Sequence, residues 1–266
     1  MVDLQDLRAL RGFIFDMDGV IYRGHEVVPG AAEFIANLRQ AALPFVYLTN
    51  NSSTPPGKVA IRLTEMGIPA KASEVLTSAD VTATEVSRAV TGRQALVVGE
   101  EGIRSALIRS GFALVEDHRE ADVVVVGIDR QTTYARLREA ALAIRRGAPF
   151  FATNTDRTLP TEAGLVPGAG AIVGFLEIAT DVRPTVFGKP SPGIFRYALR
   201  ALGTNPESTA TIGDRSETDI LGGQRAGVRT IAVLSGAGTA DDFAVMQPPP
   251  DWIFPSLAEL NQAYFE

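Results

Sequence analysis

Two aspartates one residue apart, Asp16 and Asp18, end the apolar run Phe13-Ile14-Phe15 and are followed by Gly19. The run is too short to be a helix. It reads as a strand buried on both faces, as strands do in a parallel sheet. Asp16 then stands where that strand leaves the sheet, the edge at which open α/β sheets bind ligands. Unpaired carboxylates at such an edge are costly and need a partner. A hard divalent cation suits them, and Mg²⁺ prefers a few carboxylate and water oxygens. The same tetrapeptide also serves as an ordinary acidic turn, so its meaning depends on what accompanies it.

Three further stretches accompany it. Thr49-Asn50-Asn51-Ser52-Ser53-Thr54 follows the apolar run Leu43–Leu48. Hydroxyls and amides in that place can hold phosphate oxygens, although the same residue types cap helices. Lys189 lies between Gly188 and Pro190, in a tight and partly rigid turn. Its ammonium is a point charge suited to a phosphoryl oxygen and a nearby carboxylate; a solvated surface lysine is the plain alternative. Asp214 and Asp219 follow the short run Ala210–Gly213 and are separated by a turn, so both can face one ion. An acidic loop capping a helix would look the same.

The elements that must position these groups follow an α/β rhythm. Periodicity and turn residues predict strands at 12–16, 43–48, 94–99, 121–128, 149–153, 210–213 and 230–234. Helices are predicted at 31–41, 56–66, 101–110, 134–146, 168–179 and 194–202, and a strand and helix close the chain at 252–265. The right-handed crossover rule places the strands before Asp16 and Thr49 in one sheet. Val123-Val124-Val125-Val126 is the most β-prone run. The middle section has strands and helices of its own, about 100 residues, enough for a small domain. Candidate linkers lie at 77–80 and 181–184, which divides the chain into 1–78, an inserted 79–183, and 184–266.

Composition narrows the function classes. At 266 residues the chain exceeds the size at which one core usually keeps growing, so two domains are expected. Hydrophobic residues at 45% and charged residues at 21% fit a soluble globular protein. A net charge of −6 gives no basic footprint for nucleic acid. No cysteine is present, which excludes disulfides, thiolate catalysis and Cys-ligated zinc. Two histidines, His25 and His118, are too few for a His-rich metal site, and both read as non-catalytic. The N-terminus lacks the pattern of a signal peptide, and no apolar run approaches membrane-spanning length, so the cytoplasm is the expected compartment.

Taken together and in order, the motifs DMDGV, LTNNSS, GKPSP and GDRSETDI resemble those of the haloacid dehalogenase superfamily of phosphohydrolases. The similarity covers nearly the whole chain. The stretches ATNTDRTLP and VPGAGAIVGFLE, with the large insert between the second and third motifs, are similar to the nitrophenylphosphatase-like branch. The resemblance implies an α/β fold: a doubly wound, Rossmann-like parallel-sheet core with a second, smaller α/β domain as a cap. It implies that Asp16 is a nucleophile forming an aspartyl-phosphate and that Asp18 is the general acid and then the base. Mg²⁺ would be held by Asp16, Asp18 (through its backbone carbonyl) and Asp214. Asp219 would hold Lys189 or a metal-bound water. Thr49, Asn50, Asn51 and Lys189 would hold the phosphoryl group. The implied partner is a small phosphate ester, without nucleic acid or membrane, and a homodimer formed through the cap would fit.

Other readings use the same residues. A sugar phosphotransferase or mutase is the nearest enzyme alternative, and a catalytically silent phosphometabolite-binding protein is the non-enzyme one. A response-regulator receiver also uses an acidic cluster, Thr and Lys, but its motif order differs and it has no place for the insert. Gly99-Glu100-Glu101-Gly102 reads as a turn into a helix, and Asp129, Arg130 and Thr132 as a surface turn or a substrate contact. Trp252 and Phe254 read as core.

Overall fold

The structure, a computed structural model, describes residues 4–161 and 163–266. The first three residues, part of the stretch read for a signal peptide, lie outside the described residues, as does Glu162. No helix among the described residues is long and apolar enough to cross a membrane. The chain divides into two compact units. One comprises residues 1–49, 59–76 and 189–266, the other residues 50–58 and 77–188.

The first unit is built on a six-stranded sheet. Its order is Trp252–Phe254, Arg229–Val233, Thr209–Gly213, Gly12–Phe15, Phe45–Thr49, Val75–Thr77. The central pairs run parallel: Gly12 stands beside Thr209 and Phe13 beside Phe45. From Gly12–Phe15 the chain winds to one side through Phe45–Thr49, and returns on the other side at Thr209–Gly213. The order therefore reverses between the strand ending at Phe15 and the strand ending at Gly213, which is where a doubly wound sheet opens its ligand crevice. Phe13, Ile14 and Phe15 are fully buried, as a central strand covered on both faces requires. Phe13 packs edge-on against Phe34 and Tyr264 at 5.7 and 5.3 Å between ring centroids. Trp252 and Phe254 join this core, as their sequence setting suggests.

The second unit has a five-stranded, wholly parallel sheet ordered Thr185–Val186, Phe150–Ala152, Val123–Val126, Gln94–Val98, Ala113–Val115. Along the valine run the side chains alternate between two cores. Val123 and Val125 face one, with Ile103 and Leu107; Val124 and Val126 face the other, with Ile144 and Leu176. Here the order reverses between Gln94–Val98 and Val123–Val126.

The predicted elements recur, with ends that differ by up to two residues. The strand expected at 121–128 is Val123–Val126, because Asp122 instead accepts the backbone N–H groups of Arg93 and Gln94. Two hairpins were not legible. Tyr22–Arg23 pairs with Glu26–Val27, and Thr158–Thr161 with Gly164–Pro167. Pro160 interrupts the second, and a proline inside a run argues against a strand unless the strand is an edge. Thr77–Asp80, read as a linker, is a strand–helix junction: Thr77 ends a strand and its Oγ1 accepts the Asp80 N–H that starts the helix Ser78–Ala89.

Candidate active site

The reversal point of the first sheet gathers four of the sequence-predicted residues. Asp16 follows the strand Gly12–Phe15, and its N–H still donates to Ile212 O at 2.9 Å. Asp214 follows the neighbouring strand Thr209–Gly213. The chain then turns through Ser216–Ile220 as a π-helix, in which Ile220 N–H reaches back to Arg215 O. Such turns recur at functional sites, and this one returns Asp219 to the strand end it has just left. The fit is close: a Cβ on Gly213 would lie 2.1 Å from the Cβ of Asp219.

Lys189 ties the cluster together. Its Nζ donates to Asp16 Oδ1 at 2.5 Å, Asp219 Oδ1 at 2.6 Å and Leu48 O at 3.3 Å. Its peptide bond to Pro190 is cis. The side chain is 4% exposed, so Lys189 is no surface lysine. Burial works to discharge it, but the two carboxylates prevail and hold its ammonium well above the ordinary lysine value. Asp16 is pushed well above the carboxylate range by burial and then by the Asp219 charge, with Lys189 opposing. Asp214 is pushed up to about 6, by burial first and then by Asp219.

Carboxylate oxygens of Asp16, Asp214 and Asp219 all lie within 4.8 Å of one another. Three buried carboxylates face one ammonium, which leaves negative charge uncompensated. Asp214 Oδ2 accepts the Ala237 N–H at 2.6 Å, whereas its Oδ1 is buried without a hydrogen-bond partner. An orphaned buried carboxylate oxygen is costly, and an all-oxygen acidic donor set is what Mg²⁺ takes. The residues present therefore fit the cation expected from sequence. Backbone crowds Asp214 from two sides. A Cβ on Gly19, which has φ +84°, would lie 2.4 Å from Asp214 Oδ2, and one on Gly236 2.0 Å from it. The sequence analysis did not single out Ser235-Gly236-Ala237-Gly238. Its signal was two glycines directly after a buried strand.

Asp18 stands two residues on, outside the carboxylate cluster. It is exposed to solvent, yet protein crowds its carboxyl on the other sides. Burial raises its pKa against the pull of Arg62, Lys189 and Arg215. The raised value expected of a proton donor thus comes from desolvation, not from neighbouring carboxylates. Thr49 is the buried last residue of the strand Phe45–Thr49.

Asn50 and Asn51 belong to the second unit. Asn50 Nδ2 donates to both carboxylate oxygens of Asp156, at 3.1 and 3.3 Å. Asn51 Oδ1 accepts the N–H and the hydroxyl of Ser53 at 2.8 and 2.7 Å, so it shapes its own turn. Arg130 pairs with Glu100, the residue before the helix Glu101–Arg109. A second acidic group, Asp117, His118 and Glu139, is half-buried, but Arg119 and Arg138 already pair with its carboxylates.

Comparison with known proteins gives a consistent result. Residues 13–113 match the family model described as haloacid dehalogenase-like hydrolase, and residues 186–260 match a HAD-hydrolase-like model. The chain is 38% identical over 254 residues to an acid sugar phosphatase of Staphylococcus saprophyticus, covering 96% of this chain and 98% of that protein. It resembles a doubly substituted thermostable NPPase from Geobacillus stearothermophilus, with 39% identity, TM-score 0.89, and 95% and 98% of the two chains covered. A 4-nitrophenylphosphatase from Thermotoga maritima aligns at 33% identity and TM-score 0.91, over 97% and 99%.

Proposed function

From the premise that this chain belongs to the haloacid dehalogenase-like hydrolases, we propose that it is a Mg²⁺-dependent phosphatase of small phosphate monoesters. The observation that carries the reading is the buried cluster of Asp16, Lys189, Asp219 and Asp214, with Asp214 Oδ1 unpartnered. The named activities of the relatives, an acid sugar phosphatase and nitrophenylphosphatases, support the same reaction class.

Asp16 attacks phosphorus through a carboxylate oxygen. The new O–P bond forms as the bond to the leaving oxygen breaks. Lys189 keeps Asp16 positioned and supplies positive charge beside the transferring group, whose transition state needs charge neutralised more than covalent help. Asp18 gives its proton to the leaving alkoxide. Its raised pKa keeps that proton available, and its exposure gives the product a way out. As a carboxylate, Asp18 then takes a proton from water. That water attacks phosphorus, breaks the bond to Asp16, and releases inorganic phosphate. Asp16, the backbone carbonyl of Asp18, and Asp214 would hold the Mg²⁺. When bound, the cation supplies charge neutralisation at the phosphoryl oxygens. Thr49 and Asn50 would donate hydrogen bonds to those oxygens. Residues 79–183 would act as a cap that selects the leaving group and excludes water.

The test is phosphate release from 4-nitrophenyl phosphate and a panel of sugar phosphates, with Mg²⁺ and with excess chelator. Turnover should need the cation. Equal rates in chelator would sink the proposal.

A further inference from the structure

The second unit's sheet reverses its order between Gln94–Val98 and Val123–Val126. A crevice at that point is where such a sheet would bind a ligand. Here it is filled by the chain's own segment Ser52–Ser53. At the start of the helix Glu101–Arg109, Gly102 N–H donates to Ser53 O at 2.8 Å and Ile103 N–H to Ser52 O at 2.9 Å. From the other side, Ile128, two residues past the strand Val123–Val126, donates its N–H to Ser52 Oγ at 3.3 Å, and the Oγ1 of Thr153, just past Phe150–Ala152, lies 3.1 Å from the same hydroxyl. Glycines make room: a Cβ on Gly102 would lie 2.4 Å from Ser52 O, and one on Gly127 2.6 Å from Ser52 Oγ.

Asn50 is fixed by the same unit. Its backbone carbonyl accepts from Ser78 Oγ at 2.7 Å and Asn154 Nδ2 at 2.8 Å. Its Nδ2 faces the Asp156 carboxylate. Its Oδ1 runs so close to Gly188 that a Cβ there would sit 2.7 Å away. Asp156 is held in turn: its N–H donates to Asn154 Oδ1 at 3.0 Å, and its carbonyl accepts the Gly170 N–H at 2.9 Å.

We propose that Asp156 is a positioning residue for phosphate capture, acting through Asn50: it fixes the orientation of that carboxamide in a loop the second unit holds as its own. The inference rests on reading Asn50 as a donor to the phosphoryl group. A carboxamide can present either its N–H₂ or its oxygen, and only one is useful to a phosphate. The carboxylate of Asp156 decides which end is held where. Without it the loop stays docked through its backbone, but the carboxamide loses the charged acceptor that holds its N–H₂ end.

The test is a double-mutant cycle on the full chain. It compares Asn50→Ala, Asp156→Ala, the pair, and Asp156→Asn, whose amide oxygen still accepts. The readouts are kcat and KM for 4-nitrophenyl phosphate, the inhibition constant of inorganic phosphate, and the Mg²⁺ concentration for half-maximal rate. Asp156→Ala should raise KM and the phosphate inhibition constant about tenfold, the effect of losing one charge-assisted hydrogen bond. Half-saturation by Mg²⁺ should not move. Asp156→Asn should stay within about threefold of the parent, and Asp156→Ala should add nothing in the Asn50→Ala background. Additive losses, or an equal rise in the Mg²⁺ requirement, would overturn the role of Asp156. A silent Asn50→Ala would overturn it through its premise, the phosphate contact, and the two failures are distinguishable.

Discussion

Replacing Lys189 by methionine keeps most of the side-chain volume and removes the ammonium that pairs with Asp16 and Asp219. Asp16 and Asp219 would lose hydrogen bonds of 2.5 and 2.6 Å to a group that is 4% exposed. Breaking a buried ion pair by deleting one partner costs about 3–5 kcal/mol, because the other charge stays buried. At roughly 2–4 °C per kcal/mol for domains of this size, Tm should fall by about 6–20 °C. The loss should depend on pH. Burial and the Asp219 charge already raise Asp16 above its unfolded value, and the substitution removes Lys189, which opposes them. A carboxyl raised in the folded state binds a proton that the unfolded chain releases. Its contribution is therefore present at low pH and is lost as pH rises through the folded value. The deficit should be larger at about pH 8 than at about pH 5.5. Thermal melts by circular dichroism, in chelator and at both pH values, measure it. Turnover at neutral pH should drop by about 10²–10³, as when a preorganised charge-stabilising donor is lost. A Tm fall of equal size at both pH values would refute the electrostatic reasoning, and a variant with parental Tm and turnover would refute the site.

Asp16→Asn should abolish turnover while the fold persists, since an amide is a poor nucleophile and the change removes charge from a crowded site; retained activity would move the nucleophile elsewhere. Mg²⁺ should raise Tm, by about 2.7 kcal/mol of stability at a hundredfold excess over its dissociation constant. That increment should shrink as pH falls through 6, because Asp214, pushed up to about 6, then holds a proton that the cation must displace; a pH-independent increment between 5 and 7 would remove Asp214 from the metal site. Gly236→Ala should cost about 1–3 kcal/mol of stability and raise the Mg²⁺ requirement, since its Cβ would lie 2.0 Å from Asp214 Oδ2; unchanged Mg²⁺ titrations would show that the loop yields without moving the carboxylate.

Asp16, Thr49, Lys189, Asp214 and Asp219 were legible because each follows a short apolar run or a rigid turn, and those signals are local. The strand at Val123–Val126 was legible for the same reason. What escaped was non-local. Nothing in residues 50–58 announces that their hydrogen-bond partners lie around Gly102, Ile128 and Thr153. Such pairings are set by sheet order, which periodicity cannot give. The hairpin at Thr158–Pro167 was hidden by Pro160 and Gly164, residues that ordinarily mark loops. The raised pKa of Asp18 left no local sign either, because burial of one side of a turn residue is a property of packing alone.

The chain passes between its two units at 49/50, 58/59, 76/77 and 188/189, so the second unit is not one contiguous cassette. This bears on how such proteins can be recombined. A chimaera that imports residues 77–188 from a relative but keeps the host's 50–58 would pair a foreign docking surface with a native peptide. The glycines at 102, 127 and 188 leave no slack for mismatch, since a Cβ at any of them meets this segment at 2.4–2.7 Å. Transplanting the second unit between family members should therefore succeed only when both pieces travel together. Over evolutionary time the two stretches, distant in sequence, are bound to drift as a pair.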